Sequence, residues 1–244
     1  MSAPVPVPVA ALPRPRAVVF DCDGTLMDTL PCADMAYDAM FARRDRRCPD
    51  ALRTALTGVA VDDAGEVLVR ELGGSAPALS EELNAELVAA VGTAARPLPG
   101  ALDAVRRAAA VLPVAIASNS FRALLDKTLA KGGLAALVPV TVAGDEVARP
   151  KPAPDVYAAA CAALGVPPGE AVAVEDTALG IRAAASAGLT VIGIGTPATC
   201  PGAHAYVTGL DDPALAAWPP PASPGAAPFT AAPFTTAPAP VPDR

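Results

Sequence analysis

Two aspartates, Asp21 and Asp23, follow the short apolar run Val18-Val-Phe20 and precede Gly24-Thr25. Carboxylates at this spacing after a strand can divide labour. One faces a ligand as nucleophile, and the other lies across the turn, where it exchanges a proton with a leaving oxygen. An aspartate nucleophile suits phosphoryl transfer because the acyl phosphate it forms stays hydrolysable. Asp-x-Asp-Gly is also ordinary turn chemistry and opens calcium loops. Here Thr25-Leu26-Met27 follows, without the later ligands and closing glutamate of such a loop. Three further polar sets complete the constellation: Ser118-Asn119, Lys151 between Pro150 and Pro152, and Glu175-Asp176. Each has a plainer reading alone: a cap or turn, an exposed turn lysine, and an acidic pair favoured by a helix dipole. A dianionic phosphate approaching Asp21 is repelled unless positive charge neutralises the pair, so a lysine among these carboxylates has chemical work to do.

The elements that must position these residues are short and alternate in type. Val18 to Phe20, Val114 to Ala117, Val138 to Val142, Ala171 to Val174 and Val191 to Ile194 read as strands buried on both faces. Between them, helices are expected over Gly100 to Val111, Phe121 to Lys131, Pro154 to Leu164 and Ala178 to Ala187, the last three closed by glycine. The alternation predicts an α/β fold, a doubly wound (Rossmann-like) parallel sheet whose ligands sit at the carboxyl ends of the strands. Residues 30–96 interrupt it. They read as wholly helical, over Pro31 to Arg47, Pro49 to Thr57, Asp63 to Leu72 and Ser80 to Val91, and are expected to form an inserted cap. The α/β core then comprises residues 16–29 and 97–218. Prolines crowd both ends, so residues 1–15 and 219–244 are expected to be disordered extensions. The latter carries the small repeat Pro228-Phe-Thr and Pro233-Phe-Thr, whose protein partner, if any, the sequence does not name.

Composition narrows the function classes. A net charge of −7 and a pI near 4.7 argue against a nucleic-acid or anionic-membrane partner. No apolar run reaches the roughly 20 residues of a membrane helix. The start has neither a basic region nor an unbroken apolar one, so no signal peptide is read there. The five cysteines are widely spaced and the one histidine, His204, reads as a surface residue, so a reducing cytoplasm is expected rather than a disulfide framework or zinc site. Cys22 should point into the core. Arg43, Arg44, Arg46 and Arg47 read as a solvated helix face, with binding of an acidic substrate as the alternative.

Phe20-Asp-Cys-Asp-Gly-Thr-Leu-Met-Asp28-Thr29 resembles the first motif of the haloacid dehalogenase-like hydrolase superfamily. Ser118-Asn119, Lys151 within Arg149-Pro-Lys-Pro-Ala-Pro-Asp155, and Glu175 to Gly188 resemble its other three motifs in order. The similarity spans roughly residues 16–218. The cap position is similar to that of the phosphoglycolate phosphatase and β-phosphoglucomutase subfamily, nearest to the 6-phosphogluconate-type sugar phosphatases. The resemblance implies Asp21 as nucleophile and Asp23 as general acid and base. It implies Mg²⁺ held by Asp21, Asp23 through its carbonyl, Asp176 and Glu175, the last directly or through water. It implies substrate phosphate held by Ser118, Asn119 and Lys151, and a cap hinge at Asp28 and Thr29.

The expected activity is Mg²⁺-dependent hydrolysis of a small phosphorylated metabolite, a sugar phosphate first, through an aspartyl phosphate. Dehalogenation does not need Asp23, and phosphonoacetaldehyde hydrolysis wants a cap lysine that residues 30–96 lack. A β-phosphoglucomutase-like phosphomutase is the nearest rival, although the candidate specificity loop, Thr57 to Asp63, offers two carboxylates and no cation for a second phosphate. A catalytically silent binding protein of the same fold is the rival of another class.

Overall fold

The computed structural model describes residues 5–219. Eight strands and eight helices follow in the order β1 (Ala17–Phe20), β2 (Met27–Asp28), α1 (Leu30–Ala42), α2 (Asp50–Leu56), α3 (Val61–Leu72), α4 (Ala76–Ala94), β3 (Arg96–Pro97), α5 (Ala101–Ala109), β4 (Val114–Ala117), α6 (Arg122–Gly132), β5 (Val140–Val142), α7 (Asp155–Leu164), β6 (Ala171–Glu175), α8 (Ala178–Ala187), β7 (Thr190–Ile194) and β8 (Ala205–Val207). The main sheet is wholly parallel, with strand order β5-β4-β1-β6-β7-β8. Strand β1 is central, and the chain winds outward from it in both directions, which opens a crevice at the carboxyl ends of β1, β4 and β6.

Period-two alternation divides β1 between two cores. Val18 and Phe20 join Val105 of α5 and Leu125 of α6 on one face, together with Cys22. Ala17 and Val19 join Tyr157 and Cys161 of α7 and Ile181 of α8 on the other. Both faces of each inner strand are therefore buried, the condition that short apolar runs answer. Helices α6, α7 and α8 end on left-handed glycines, Gly133, Gly165 and Gly188.

Helices α1 to α4 enclose a third apolar cluster built on Met40, Phe41, Leu68 and Leu83. Two short strands carry the chain into and out of this unit. Met27 pairs with Pro97 and Asp28 with Arg96, antiparallel. Helix α4 also lies against α6, where the Lys127 ammonium donates to the Val88 carbonyl.

Several expectations are corrected. Helix α1 stops at Ala42 rather than Arg47, and Asp45 takes a left-handed φ of 53°. Helix α4 begins at Ala76, and Ser80, expected near a helix start, is buried within it with its hydroxyl donating to the Val61 carbonyl at 3.2 Å. Strand β8 is additional. Its polar neighbour His204 is half-buried, not a surface residue: Nδ1 accepts from Val191 N–H at 3.1 Å, and burial lowers the imidazole pKa. Within residues 5–15, expected in a disordered extension, Val9 and Pro15 are buried, whereas Val5 is exposed. Val7 N–H donates to the His204 carbonyl at 2.9 Å, and Val9, in a 3-10 turn, is buried beside Leu215. The expectation for 219–244 lies outside the described residues from 220 onward. Among the described residues no helix is long and apolar enough to cross a membrane, and all five cysteines are buried free thiols.

Candidate active site

Strand pairing carries the chain into the site. Asp21 N–H donates to the Val174 carbonyl and Ser118 N–H to the Val142 carbonyl, both at 3.0 Å, so each residue extends its strand by one ladder bond. Asp21, Ser118 and Glu175 thereby stand side by side at the carboxyl edge of β1, β4 and β6, all buried.

Lys151 reaches this row from the loop before α7. Its ammonium lies 2.6 Å from Asp21 Oδ1 and 2.6 Å from Glu175 Oε1, and the Tyr157 ring lies 4.9 Å from it. Burial alone would lower the lysine pKa; the two carboxylates outweigh it and hold the ammonium charged. Tyr157 also donates its hydroxyl to Glu175 Oε1 at 2.8 Å. Glu175 Oε2 accepts from Asp176 N–H, Thr177 N–H and the Thr177 hydroxyl, each at 3.1 Å. Five donors thus fix one buried carboxylate, and Glu175 orients Lys151.

Asp23 stands opposite. Its Oδ2 accepts from the hydroxyls of Ser118 and Ser120, both at 2.8 Å. Ser118 Oγ also accepts from Ser120 N–H at 2.9 Å. The Asn119 side chain turns to the loop that carries Lys151 and to the cap. Oδ1 accepts from Lys151 N–H at 2.8 Å, while Nδ2 donates to the carbonyls of Lys151 and of Gly58 in the cap, both at 3.1 Å. It clamps the lysine backbone and ties it to the loop after α2.

Asp176 accepts from the Thr25 hydroxyl at 3.1 Å. Its other oxygen packs so tightly on Gly24 that a Cβ there would strike it, and Gly24 has φ of 88°. Burial first, then Glu175, pushes the Asp176 pKa up to about 7. Burial likewise drives Asp21 well above the carboxylate range, with Lys151 opposing and Glu175, Asp176 and Asp23 adding to the rise.

Four carboxylates therefore face one ammonium, an imbalance that invites a cation. Oxygens of Asp21, Glu175 and Asp176 lie within 4.8 Å of one another, and Asp21 Oδ2 is buried with no hydrogen-bond partner. A buried carboxylate oxygen without a donor is costly, and hard oxygen ligands suit a divalent ion. The residues fit such a group, with Asp21 and Asp176 the least committed to other partners.

The site opens into a cavity of about 320 Å³ shared between sheet and cap. Asp21, Asp23, Ser118, Asn119, Lys151 and Asp176 line it, whereas Glu175 lies behind them. The arginine cluster at the end of α1 does not line it: Arg43 and Arg44 pair with Glu82 and Glu86, and Arg46 with Glu71. Asp62 and Asp63 stand on the first turn of α3, away from the lining as well.

Sequence reasoning missed Ser120, Tyr157 and Thr177. Ser120 and Thr177 sit next to named motif residues, and alternation past a strand end was the available signal. Tyr157 carries none, because it arrives from a separate helix.

A family model for haloacid dehalogenase-like hydrolases matches residues 15–188. The chain belongs to that family. It is an enzyme of the phosphoric-monoester hydrolase class, as the phosphatases among its relatives are. It is 33% identical over 194 residues to protein CbbY of Rhodobacter capsulatus, covering 72% of this chain and 84% of CbbY. It is 31% identical over 192 residues to hexitol phosphatase A of Escherichia coli, covering 77% and 87%. A CbbY mutant from Rhodobacter sphaeroides, solved in complex with xylulose-(1,5)bisphosphate, superposes with a TM-score of 0.71 at 25% identity, over 80% of this chain and 95% of that one.

Proposed function

We propose that this protein is a Mg²⁺-dependent phosphatase that hydrolyses a small sugar or polyol phosphate through a phosphoryl-Asp21 intermediate. One observation carries the reading: Lys151 is locked between Asp21 and Glu175, while the second Asp21 oxygen is left buried and unpaired at the floor of the cavity. Hexitol phosphatase A supports the substrate class by its name.

The steps follow from the residues. An Asp21 oxygen attacks phosphorus in line with the ester oxygen, forming the Asp21–phosphorus bond as the ester bond breaks. Asp23 gives a proton to the departing alkoxide, which leaves as the alcohol. Ser118 and Ser120 hold the Asp23 carboxyl through Oδ2, so Oδ1 is the oxygen available for proton transfer. Water then attacks phosphorus while Asp23 takes its proton, the Asp21–phosphorus bond breaks, and inorganic phosphate leaves. Throughout, Lys151 offsets the repulsion between the phosphoryl group and Asp21. Asp21, Asp176 and the Asp23 carbonyl would hold the Mg²⁺, which when bound would supply positive charge that offsets the negative charge of the phosphoryl group. Glu175 is assigned to positioning Lys151 rather than to direct ligation, since five donors already engage it.

The test is phosphate release from p-nitrophenyl phosphate and from a panel of sugar phosphates in Mg²⁺. Wild type should turn over, and Asp21→Asn should fall to background with its unfolding midpoint close to wild type, because Lys151 keeps Glu175. Substantial turnover by Asp21→Asn would remove the nucleophile assignment.

A further inference from the structure

We propose that Asp34 and Arg53 in the cap form the subsite for the end of the substrate remote from its phosphate, and that they select an uncharged, hydroxyl-bearing end over a second phosphate. This rests on the phosphatase reading above and adds which member of the substrate class the cavity takes.

Both residues line the cavity that holds Asp21 and Lys151. Lys151 and Arg53 are the cationic side chains among the described lining residues, and Lys151 is consumed by Asp21 and Glu175. Arg53 is the candidate for any second anion, and its own surroundings speak against that use. Its side chain is 19% exposed, and Nη1 donates to Asp34 Oδ1 at 2.9 Å and to the Asp34 carbonyl at 3.2 Å. Nη2 donates to Asp38, and Asp50 lies 4.0 Å from Nε. Three carboxylates surround one guanidinium, so the local charge is negative.

The polar atoms of the subsite lean the same way. Asp34 is 57% exposed and offers acceptor oxygens only. Thr54 and Thr57 line the cavity too, but their hydroxyl protons are spent on the carbonyls of Asp50 and Arg53, at 3.1 and 3.2 Å. Each therefore faces the cavity as an acceptor. A wall rich in acceptors needs donors from its ligand. Sugar and polyol hydroxyls supply them; a phosphate dianion supplies acceptors and like charge.

The experiment uses the full chain with Mg²⁺ and three probes: p-nitrophenyl phosphate, fructose 1-phosphate and fructose 1,6-bisphosphate. Wild type should favour the monophosphate by at least about tenfold in kcat/KM. Asp34→Asn with Asp38→Asn should shrink that ratio by about tenfold or more, the effect of removing unit charges a few ångströms from a dianion. Asp34→Asn alone, expected to move the ratio in the same direction by less, serves if the double variant does not fold. A purely structural role would lower both rates together and leave the ratio in place. An unselective wild type, a preference for the bisphosphate, or a ratio unmoved by the substitutions overturns the subsite. So does turnover of p-nitrophenyl phosphate with neither sugar phosphate accepted. Failure on all three probes instead removes the phosphatase reading, and the subsite with it.

Discussion

Gly180, in the first turn of α8, should respond to alanine in the direction opposite to an ordinary helical glycine. Glycine within a helix costs about 0.5–1 kcal/mol relative to alanine, so Gly→Ala normally stabilises. A Cβ at Gly180, however, would overlap both oxygens and the carboxyl carbon of Glu175. That carboxylate cannot swing aside freely, because Lys151 and Tyr157 hold Oε1 while Asp176 and Thr177 hold Oε2. Hydrogen bonds to a charged group are worth about 1.5–3 kcal/mol each. Losing the two on Oε1 costs about 3–6 kcal/mol, which outweighs the helix gain and leaves Gly180→Ala about 2–5 kcal/mol less stable. Displacing Glu175 also frees Lys151 from one of its two anchors, so kcat/KM for p-nitrophenyl phosphate should fall by about tenfold or more, the equivalent of roughly 1.4 kcal/mol at the transition state. Gly92 in α4 is the internal control. It is exposed, and a Cβ there meets only the end of Lys127, 3.6 Å away. Gly92→Ala should gain about 0.5–1 kcal/mol and keep its activity. Urea unfolding read by circular dichroism, alongside initial rates, decides the matter. If Gly180→Ala matches Gly92→Ala in both stability and turnover, Glu175 does not hold the lysine as argued.

Other perturbations separate the parts of the site. Chelation should abolish turnover and Mg²⁺ restore it, with Ca²⁺ a poor substitute because its larger, looser shell misplaces the phosphoryl group. Mg²⁺ should also raise the melting temperature of wild type but not of Asp176→Ala; equal shifts in both would exclude Asp176 as a ligand. Asn119→Ala strips partners from Lys151 N–H and from two carbonyls, one of them in the cap. It should cost about 1–3 kcal/mol and slow turnover, and wild-type values would show that the clamp is idle. His204 titrates below its ordinary value because burial disfavours the imidazolium. The unfolded chain therefore binds the extra proton first, and the histidine's contribution is complete above pH 6.5 and fades as pH falls below it. The stability difference between pH 7.5 and 5 should be smaller in His204→Gln, measured by urea midpoint.

The core was legible because its physics is local. A strand buried on both faces must be a short apolar run, and a helix that ends on Gly133, Gly165 or Gly188 states its own boundary. Strand β8 escaped because Ala205-Tyr-Val207 is too brief to stand out from its loop. The start of α4 escaped for a different reason. Ser80-Glu-Glu has the composition of a helix start, but the Ser80 hydroxyl is spent on Val61 of α3. A Cβ at Gly65 would strike that same hydroxyl, so tertiary packing between the two helices, not capping, explains the serine.

The site divides along the same line. Asp21, Ser118 and Glu175 could be placed from sequence because strand ends deliver them, and a ladder bond holds Asp21 and Ser118 there. What each side chain does there depends on partners from elsewhere in the chain. Asn119 sits in a motif position, and its side chain joins the Lys151 backbone to Gly58 of the cap. Glu175 is one of three acidic residues grouped closely enough to hold a metal, and five donors, those of Lys151 and Tyr157 from other segments, also fix it. Arg53 shows the reverse. Its position in the cap sequence suggests only a solvated helix, while folding brings α2 against α1 and turns its guanidinium, with Asp34, into one wall of the cavity. Residues fixed by their own strand carry their role in the local pattern, and residues fixed by a partner acquire it only when distant segments of the chain come together.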